Sequence, residues 1–89
     1  MTNIKVKVKK LDLNAKFPEY AHDVEIGGNS GADLFSTDNI VIPPMGIALV
    51  GTGISVEVPV GIEMQIRSRS GLAVNHQIFV LNAPGTVDP

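Results

Sequence analysis

The chain has 89 residues, a formal net charge of −2 at pH 7 and no cysteine. This length predicts a single domain, and the lack of cysteine excludes disulfides and thiolate metal sites. Lysines interrupt the apolar runs near the N-terminus, and no apolar run reaches the length of a membrane span. We therefore expect no signal peptide and no membrane partner. The cysteine-free composition fits a reducing compartment, and we expect a cytoplasmic protein.

Positive charge is concentrated at the start of the chain. The early cluster consists of Lys5, Lys7, Lys9, Lys10 and Lys16. The remainder holds only two arginines against eight acidic residues, which argues against a nucleic-acid-binding face. The lysines are expected to form the solvated face of a first strand, with contact to an anion as the alternative.

The elements follow in chain order. "NIKVKVKK" alternates apolar and charged residues, which is typical of a half-buried strand. "IGGNSGADLF" predicts a glycine-rich turn leading into a short strand. "NIVIPPMGIALVGTGISV" contains two apolar runs around a proline-glycine segment, which predicts a hairpin-like pair.

The longest periodic segment places an apolar residue at every second position from Ile54 to Ile66, with a turn expected at Pro59–Gly61. A short helix is expected to begin at Ser70–Gly71 and to run through Val74. Consecutive apolar residues at 78–81 predict a strand buried on both faces. Many short strands separated by Gly and Pro predict an all-β sandwich or barrel.

The segment "RSRSGLA" has the composition of an anion site. Arginine offers a rigid fork of donors for phosphate oxygens, serine adds a hydroxyl, and glycine permits close backbone approach. A helix opening here would add free N–H groups. An exposed strand end followed by a turn is the alternative. Arg67 lies on the polar side of the preceding strand, and we expect Arg69 rather than Arg67 to contact an anion.

Two carboxylates are further candidates. Asp88 follows a Pro–Gly turn and would serve as a general base or hold a metal-bound water; a turn aspartate is the alternative. Asp33 either contacts the hydration shell of a metal or occupies an Asx-turn. The two histidines, His22 and His76, lack a second ligand at suitable spacing, so no zinc site is expected.

Three motifs appear in a familiar order: "GADLFS", then "IPPMGIALVGTGISVEVPVGIEMQIRSRSGLA", then "NAPGTVDP". In this respect the chain resembles the trimeric deoxyuridine triphosphatases (dUTP pyrophosphatases) from Phe17 to Pro89. The resemblance implies an all-β jelly-roll of the β-clip type, with residues 1–89 forming a single, incomplete domain that lacks its C-terminal strands. It also implies a homotrimer whose active sites are shared between subunits.

The resemblance implies a role for each matching position. Arg69, Ser70 and Gly71 would grip the triphosphate. Asn82 would lie at the uracil slot, and Gly85 belongs to the hairpin that holds the base.

Catalytic and metal roles follow in the same way. Asp88 would position and deprotonate the attacking water. Asp33 would organise Mg²⁺ through its waters, and Gln77 corresponds to a position near the metal and the phosphates. The implied reaction is Mg²⁺-dependent hydrolysis of dUTP to dUMP and pyrophosphate by attack at the α-phosphorus.

Other functions remain open. A non-catalytic nucleotide-binding or assembly module would keep the fold without the chemistry. A dCTP deaminase relative would share the fold but needs a glutamate near the base, which the sequence does not identify. A purely structural β-protein is the least specific alternative.

The chain departs from the family in two places. Ser68 stands where many relatives have proline, and we expect this to change only local stiffness. The "DYRGE"-like continuation, whose tyrosine stacks under the deoxyribose, the fourth motif and the glycine-rich arm do not follow Asp88. A fragment, a split gene or a shortened protein that exchanges strands would explain this. We expect an active parent enzyme and a weak or inactive 89-residue chain.

Overall fold

The computed structural model describes residues 3–21 and 30–89. In chain order its elements are β1 (Lys7–Lys10), β2 (Ile54–Glu57), β3 (Met64–Ile66), α1 (Ser70–His76) and β4 (Gly85–Val87). β1 pairs with β2, and β3 pairs with β4. The expected all-β class is confirmed, with one short helix among the described residues. His22 and positions 26–29 of the expected glycine-rich turn lie outside the described residues.

The chain contains two compact units. One comprises residues 8–56, and the other comprises residues 1–7 and 57–89. The candidate motif that contains Asp33 belongs to the first unit, whereas the motifs from "RSRSGLA" to "GTVDP" belong to the second. The second unit therefore carries most of the candidate site.

The first strand is shorter than the alternation predicts. β1 begins at Lys7, while Ile4, expected on its buried side, is 62% exposed. Beyond the strand, the Leu11 N–H donates to the Gly53 carbonyl at 2.7 Å. Gly53 has φ +67°, and a Cβ there would stand 2.7 Å from Cγ2 of Thr37. Only glycine therefore fits at this crossing of chain segments.

Two of the early lysines lie over aromatic rings. Nζ of Lys10 is 4.5 Å from the ring centre of Phe17, and Nζ of Lys16 is 5.1 Å from that of Phe35. Each such contact contributes about 0.5–1 kcal/mol at an exposed site. These two lysines thus cover apolar surface as well as facing water, which the expectation of a purely solvated face did not include.

The expected hairpin of residues 39–56 forms only in part. Its turn is present, with the Gly46 N–H donating to the Pro43 carbonyl at 2.8 Å. Just before the segment, the Thr37 N–H donates to the Gly51 carbonyl at 3.2 Å. No described residue between 39 and 53 belongs to a strand, because these arms share too few backbone hydrogen bonds to form a ladder.

The periodic segment folds as expected. In β2 and β3 the apolar residues are half-buried and the intervening residues exposed, and Val58 between them is 4% exposed. The turn at Pro59–Gly61 is closed by a 3.3 Å hydrogen bond from the Ile62 N–H to the Pro59 carbonyl. Gly61 supplies the positive φ of +91° that this turn needs.

The expected buried strand at 78–81 is wrong. The segment is not a strand, and its Phe79 and Leu81 side chains are 62% and 68% exposed. The backbone instead turns, because the Ala83 N–H donates to the Val80 carbonyl at 3.2 Å. The Val80 N–H bonds to a serine hydroxyl, so neither polar group of Val80 is left to join a ladder.

Candidate functional site

The β3–β4 hairpin organises the site. Its antiparallel register pairs Met64 with Val87, Gln65 with Thr86 and Ile66 with Gly85. The intervening segment 67–84 leaves one end of this ladder, forms α1 and returns to the same end. Most of the candidate residues lie on this segment or beside its return.

The "RSGLA" motif opens α1, as expected. The helix begins at Ser70, and Arg69 precedes it in an extended conformation, with its carbonyl accepting a 3.0 Å hydrogen bond from the Ala73 N–H. No acidic side chain lies in the first turn. A Cβ added at Gly71 would meet no heavy atom within 4 Å. The segment therefore combines a cation, a hydroxyl and open space beside Gly71.

Arg67 is directed back along β3. Its Nε and Nη2 atoms both donate to Oε1 of Gln65, at 3.1 and 2.8 Å. The pair is exposed and so adds little stability, but it engages one fork of the guanidinium. The choice of Arg69 rather than Arg67 as the arginine of the phosphate site stays a prediction.

Ser68 has a specific contact that the sequence did not reveal. Its Oγ accepts a 2.9 Å hydrogen bond from the Val80 N–H, and both residues are half-buried. The expectation that serine in place of proline changes only local stiffness is therefore wrong. Proline has no hydroxyl to accept this bond.

The expected base-slot residues lie together. Asn82 sits in the turn that precedes β4, and its Nδ2 is 3.6 Å from the position that a Cβ on Gly85 would take. The same Cβ position is 3.5 Å from Cβ of Ile66. Asn82 and Gly85 therefore form one surface at the ladder end from which the "RSGLA" segment also departs.

Asp88 lies at the other end of the ladder. It follows Val87, whose partner is Met64, and its side chain is exposed. Asp88 lies three residue steps beyond Gly85 along extended backbone, a distance of about 10 Å. The structure thus groups Asn82 and Gly85 near the base of the "RSGLA" segment and sets Asp88 apart along β4.

Gln77 ends the helix. Its φ of 56° is left-handed, its N–H donates to the Ala73 carbonyl at 3.2 Å, and the next N–H, of Ile78, donates to the Leu72 carbonyl at 3.2 Å. Glycine is the residue that most often adopts this conformation after a helix. No sequence signal identified this capping role, because the residue is not glycine or asparagine.

Asp33 forms a β-bridge rather than a turn. Its N–H donates to the Glu19 carbonyl at 2.6 Å, and the Glu19 N–H donates to the Asp33 carbonyl at 3.1 Å. The backbone is therefore extended, and the Asx-turn that the sequence offered as one alternative does not form at Asp33. The side chain is half-buried.

The described residues do not gather a metal-binding cluster. No group of three or more His, Asp or Glu side chains comes together in residues 3–21 and 30–89. Mg²⁺ is often held by one or two carboxylates together with substrate phosphates. Within the described part, no helix is long and apolar enough to cross a membrane.

Comparison with known proteins decides the family. A family model described as dUTPase matches residues 21–88. The chain belongs to the dUTPase family. Its curated relatives include the deoxyuridine 5'-triphosphate nucleotidohydrolases of Trichodesmium erythraeum, 55% identical over 85 residues, and Alkaliphilus metalliredigens, 53% identical over 83 residues.

A third relative gives the same result over a longer alignment. The deoxyuridine 5'-triphosphate nucleotidohydrolase of Clostridium tetani is 50% identical over 88 residues. These alignments cover 96%, 93% and 99% of the chain, but only 57%, 55% and 58% of the respective relatives. The chain thus spans little more than half the length of the curated relatives it matches.

Proposed function

We propose that the natural protein carrying this sequence hydrolyses the Mg²⁺ complex of dUTP to dUMP and pyrophosphate. The observation that carries the proposal is the β3–α1–β4 arrangement within a dUTPase-family segment. The "RSGLA" motif, whose residues suit an anion, follows the Ile66–Gly85 end of the β3–β4 ladder. Asn82 and Gly85 form a small surface at that same end. A carboxylate then follows the last strand.

The phosphate end of the substrate is assigned to Arg69 and Ser70. The guanidinium donates in a planar fork that matches two phosphate oxygens, and the hydroxyl adds a further donor. The open space at Gly71 allows a phosphate to approach the backbone closely. These groups position and neutralise the triphosphate, which is the main catalytic need in phosphoryl chemistry.

The base end is assigned to Asn82 and Gly85. An asparagine amide offers both a donor and an acceptor, which matches the alternating acceptor and donor edge of uracil. Since Asn82 lies beside Gly85, a side chain at position 85 would enter the same space. The glycine therefore supports the assignment by leaving room for a flat ring.

The chemical step is assigned to Asp88. Its carboxylate orients a water molecule and accepts a proton as the water oxygen bonds to the α-phosphorus. The bond from that phosphorus to the oxygen bridging to the β-phosphate breaks, and pyrophosphate leaves with the electron pair. Mg²⁺ carried on the triphosphate supplies charge neutralisation. Asp33 and Gln77 are proposed to contact that ion or the phosphates.

The homotrimer with shared active sites is also proposed, and the register of β4 supports it. Asp88 lies about 10 Å along the strand from Gly85, at the ladder end remote from the "RSGLA" segment. A phosphate grip and a water-activating carboxylate must both reach one triphosphate. Pairing the Arg69 of one subunit with the Asp88 of another meets that need.

Turnover and binding assays on the natural protein, at the length fixed by its intact mass, test the proposal. We expect dUMP and pyrophosphate from dUTP with Mg²⁺, and none when EDTA removes the ion. Tight binding of a non-hydrolysable dUTP analogue without turnover would instead identify a non-catalytic nucleotide-binding module. Ammonia release from dCTP would identify a deaminase. Absence of both binding and turnover would contradict the proposal.

A further inference from the structure

We infer that Ser68 is a positioning residue for base recognition, acting through Val80 on Asn82. This inference deepens the proposed function and rests on it for the role of Asn82. The direct observation is the 2.9 Å hydrogen bond from the Val80 N–H to Oγ of Ser68. It joins residues 12 apart in the chain, one on each side of α1.

The hydrogen bond lies where the hairpin ladder stops. The last paired residues are Ile66 and Gly85, and beyond them the two chains diverge into the α1 excursion. Two residues past Ile66, Ser68 reaches across with its side chain instead of its backbone. The hydroxyl thus provides a hydrogen bond where the backbone pairing of β3 and β4 has ended. It links the two ends of the segment that contains α1.

The contact fixes the turn that carries Asn82. Both backbone polar groups of Val80 are engaged: its N–H with Ser68 and its carbonyl with the Ala83 N–H, at 3.2 Å. Asn82 lies inside this turn, and its amide nitrogen faces Gly85. The turn is held at Val80 on one side and by β4 on the other. The backbone that carries Asn82 therefore has little freedom to move, which limits the orientations of the Asn82 side-chain amide.

The apolar side chains around this turn do not provide an equivalent restraint. Phe79 and Leu81, which flank Val80, are 62% and 68% exposed. Packing against the described residues therefore holds this segment weakly, and a single hydrogen bond carries more of its orientation than it would in a buried strand. The half-burial of Ser68 and Val80 limits competition from water.

The test compares Ser68→Ala with Ser68→Thr in the natural full-length protein. Alanine removes the acceptor, whereas threonine keeps a hydroxyl on Cβ. Ser55→Ala is the matched control, since this serine is exposed on β2 in the other unit. Loss of one such bond should accelerate exchange of the Val80 amide hydrogen about fivefold. Ser68→Thr and Ser55→Ala should leave that rate near the wild-type value.

The functional readout is base selectivity. Ser68→Ala should raise KM for dUTP and lower the ratio of kcat/KM between dUTP and dCTP about fivefold, with threonine restoring the ratio. Inhibition by pyrophosphate, which needs only the phosphate end, should not change. A purely structural role would lower the active fraction for both nucleotides equally and would leave the ratio intact.

The two measurements test the anchoring of Val80 and the effect on base selectivity separately. An unchanged Val80 exchange rate in Ser68→Ala would overturn the anchoring role, and an unchanged selectivity ratio would overturn the positioning role. If the wild-type protein does not hydrolyse dUTP, the proposed function and the role of Ser68 in base recognition both fail. The Val80 exchange rate then still decides the anchor by itself.

Discussion

The side-chain amide nitrogen of Asn82 lies 3.6 Å from the position that a Cβ atom on Gly85 would occupy. The other nearby atoms, on Ile66, are at 3.5 and 3.9 Å, which are ordinary contact distances. The fold therefore has room for a methyl group at position 85. A methyl group there would, however, occupy the space that we assign to the bound base. Substitution at position 85 can therefore separate a structural role of the glycine from a role in ligand binding.

We predict that Gly85→Ala leaves the free energy of unfolding within about 1 kcal/mol of wild type, because the backbone at 85 requires no special conformation. The affinity for dUMP should fall about tenfold or more, because the methyl group enters the space beside Asn82. Thermal unfolding and calorimetric titration with dUMP measure the two effects. Gly31→Ala, whose added Cβ would meet no atom within 4 Å, is the control and should change neither. Undiminished dUMP binding in Gly85→Ala would contradict the base-slot assignment.

Gly71→Ala should move stability and phosphate binding in opposite directions. A Cβ there meets no atom within 4 Å, and alanine is favoured over glycine in a helix by up to about 1 kcal/mol. We therefore expect a higher unfolding midpoint together with weaker inhibition by pyrophosphate. Denaturant unfolding and an inhibition assay report the two quantities. Stabilisation with unchanged pyrophosphate inhibition would show that no phosphate approaches this backbone.

The alternation of apolar and polar residues between Ile54 and Ile66 predicted the local structure correctly. The alternation from Ile54 to Ile66 predicted two strands and the turn between them, because side chains of a strand point to opposite faces in strict order. The helix at Ser70 was also predictable, since the alternation stops there. The glycine requirement at Gly53 was not, because it depends on Thr37, which is distant in sequence.

Consecutive apolar residues were a misleading signal. Residues 78–81 are as apolar as a buried strand, yet a side-chain hydroxyl and a turn already use the backbone groups of Val80. Composition cannot report such a long-range contact. For the same reason, the sequence predicted only a change in local stiffness where Ser68 replaces proline. The hydrogen bond from the Val80 N–H to Ser68 was found only in the structure.

Gln77→Gly distinguishes capping from ligand contact. A left-handed residue other than glycine costs about 1 kcal/mol, so the substitution should stabilise the fold by about that amount. If Gln77 also contacts the metal or the phosphates, nucleotide affinity should fall. Met45→Gly is the matched control, because Met45 has a φ of 61° on an exposed turn and should gain stability without affecting affinity. Equal affinity in both variants would leave Gln77 with a capping role only and refute its assignment to the metal.

Asp88→Asn should separate chemistry from binding. Asparagine has nearly the same shape but cannot accept the proton of the attacking water, so turnover should fall by about 10²–10⁴. Affinity for a non-hydrolysable dUTP analogue should stay close to wild type, since phosphate and base contacts are assigned elsewhere. Asp38→Asn is the control, because Asp38 is an exposed residue of the other unit. Residual turnover near the wild-type rate would remove Asp88 from the mechanism.

Shared active sites predict that two inactive variants restore each other. Arg69 and Asp88 follow opposite ends of the β3–β4 ladder, so we assign the two residues of each site to different subunits. In a random equal mixture of Arg69→Ala and Asp88→Asn subunits, each of the two contributors to a site is intact in half of the cases. About one quarter of the sites then carry neither substitution. Co-expressed mixtures should therefore recover about a quarter of wild-type turnover, whereas each variant alone stays inactive.

The Arg69→Ala/Asp88→Asn double variant, mixed with either single variant, is the control and should recover nothing. If the two singles also recover nothing, although native mass spectrometry shows mixed trimers, both residues must act within one chain.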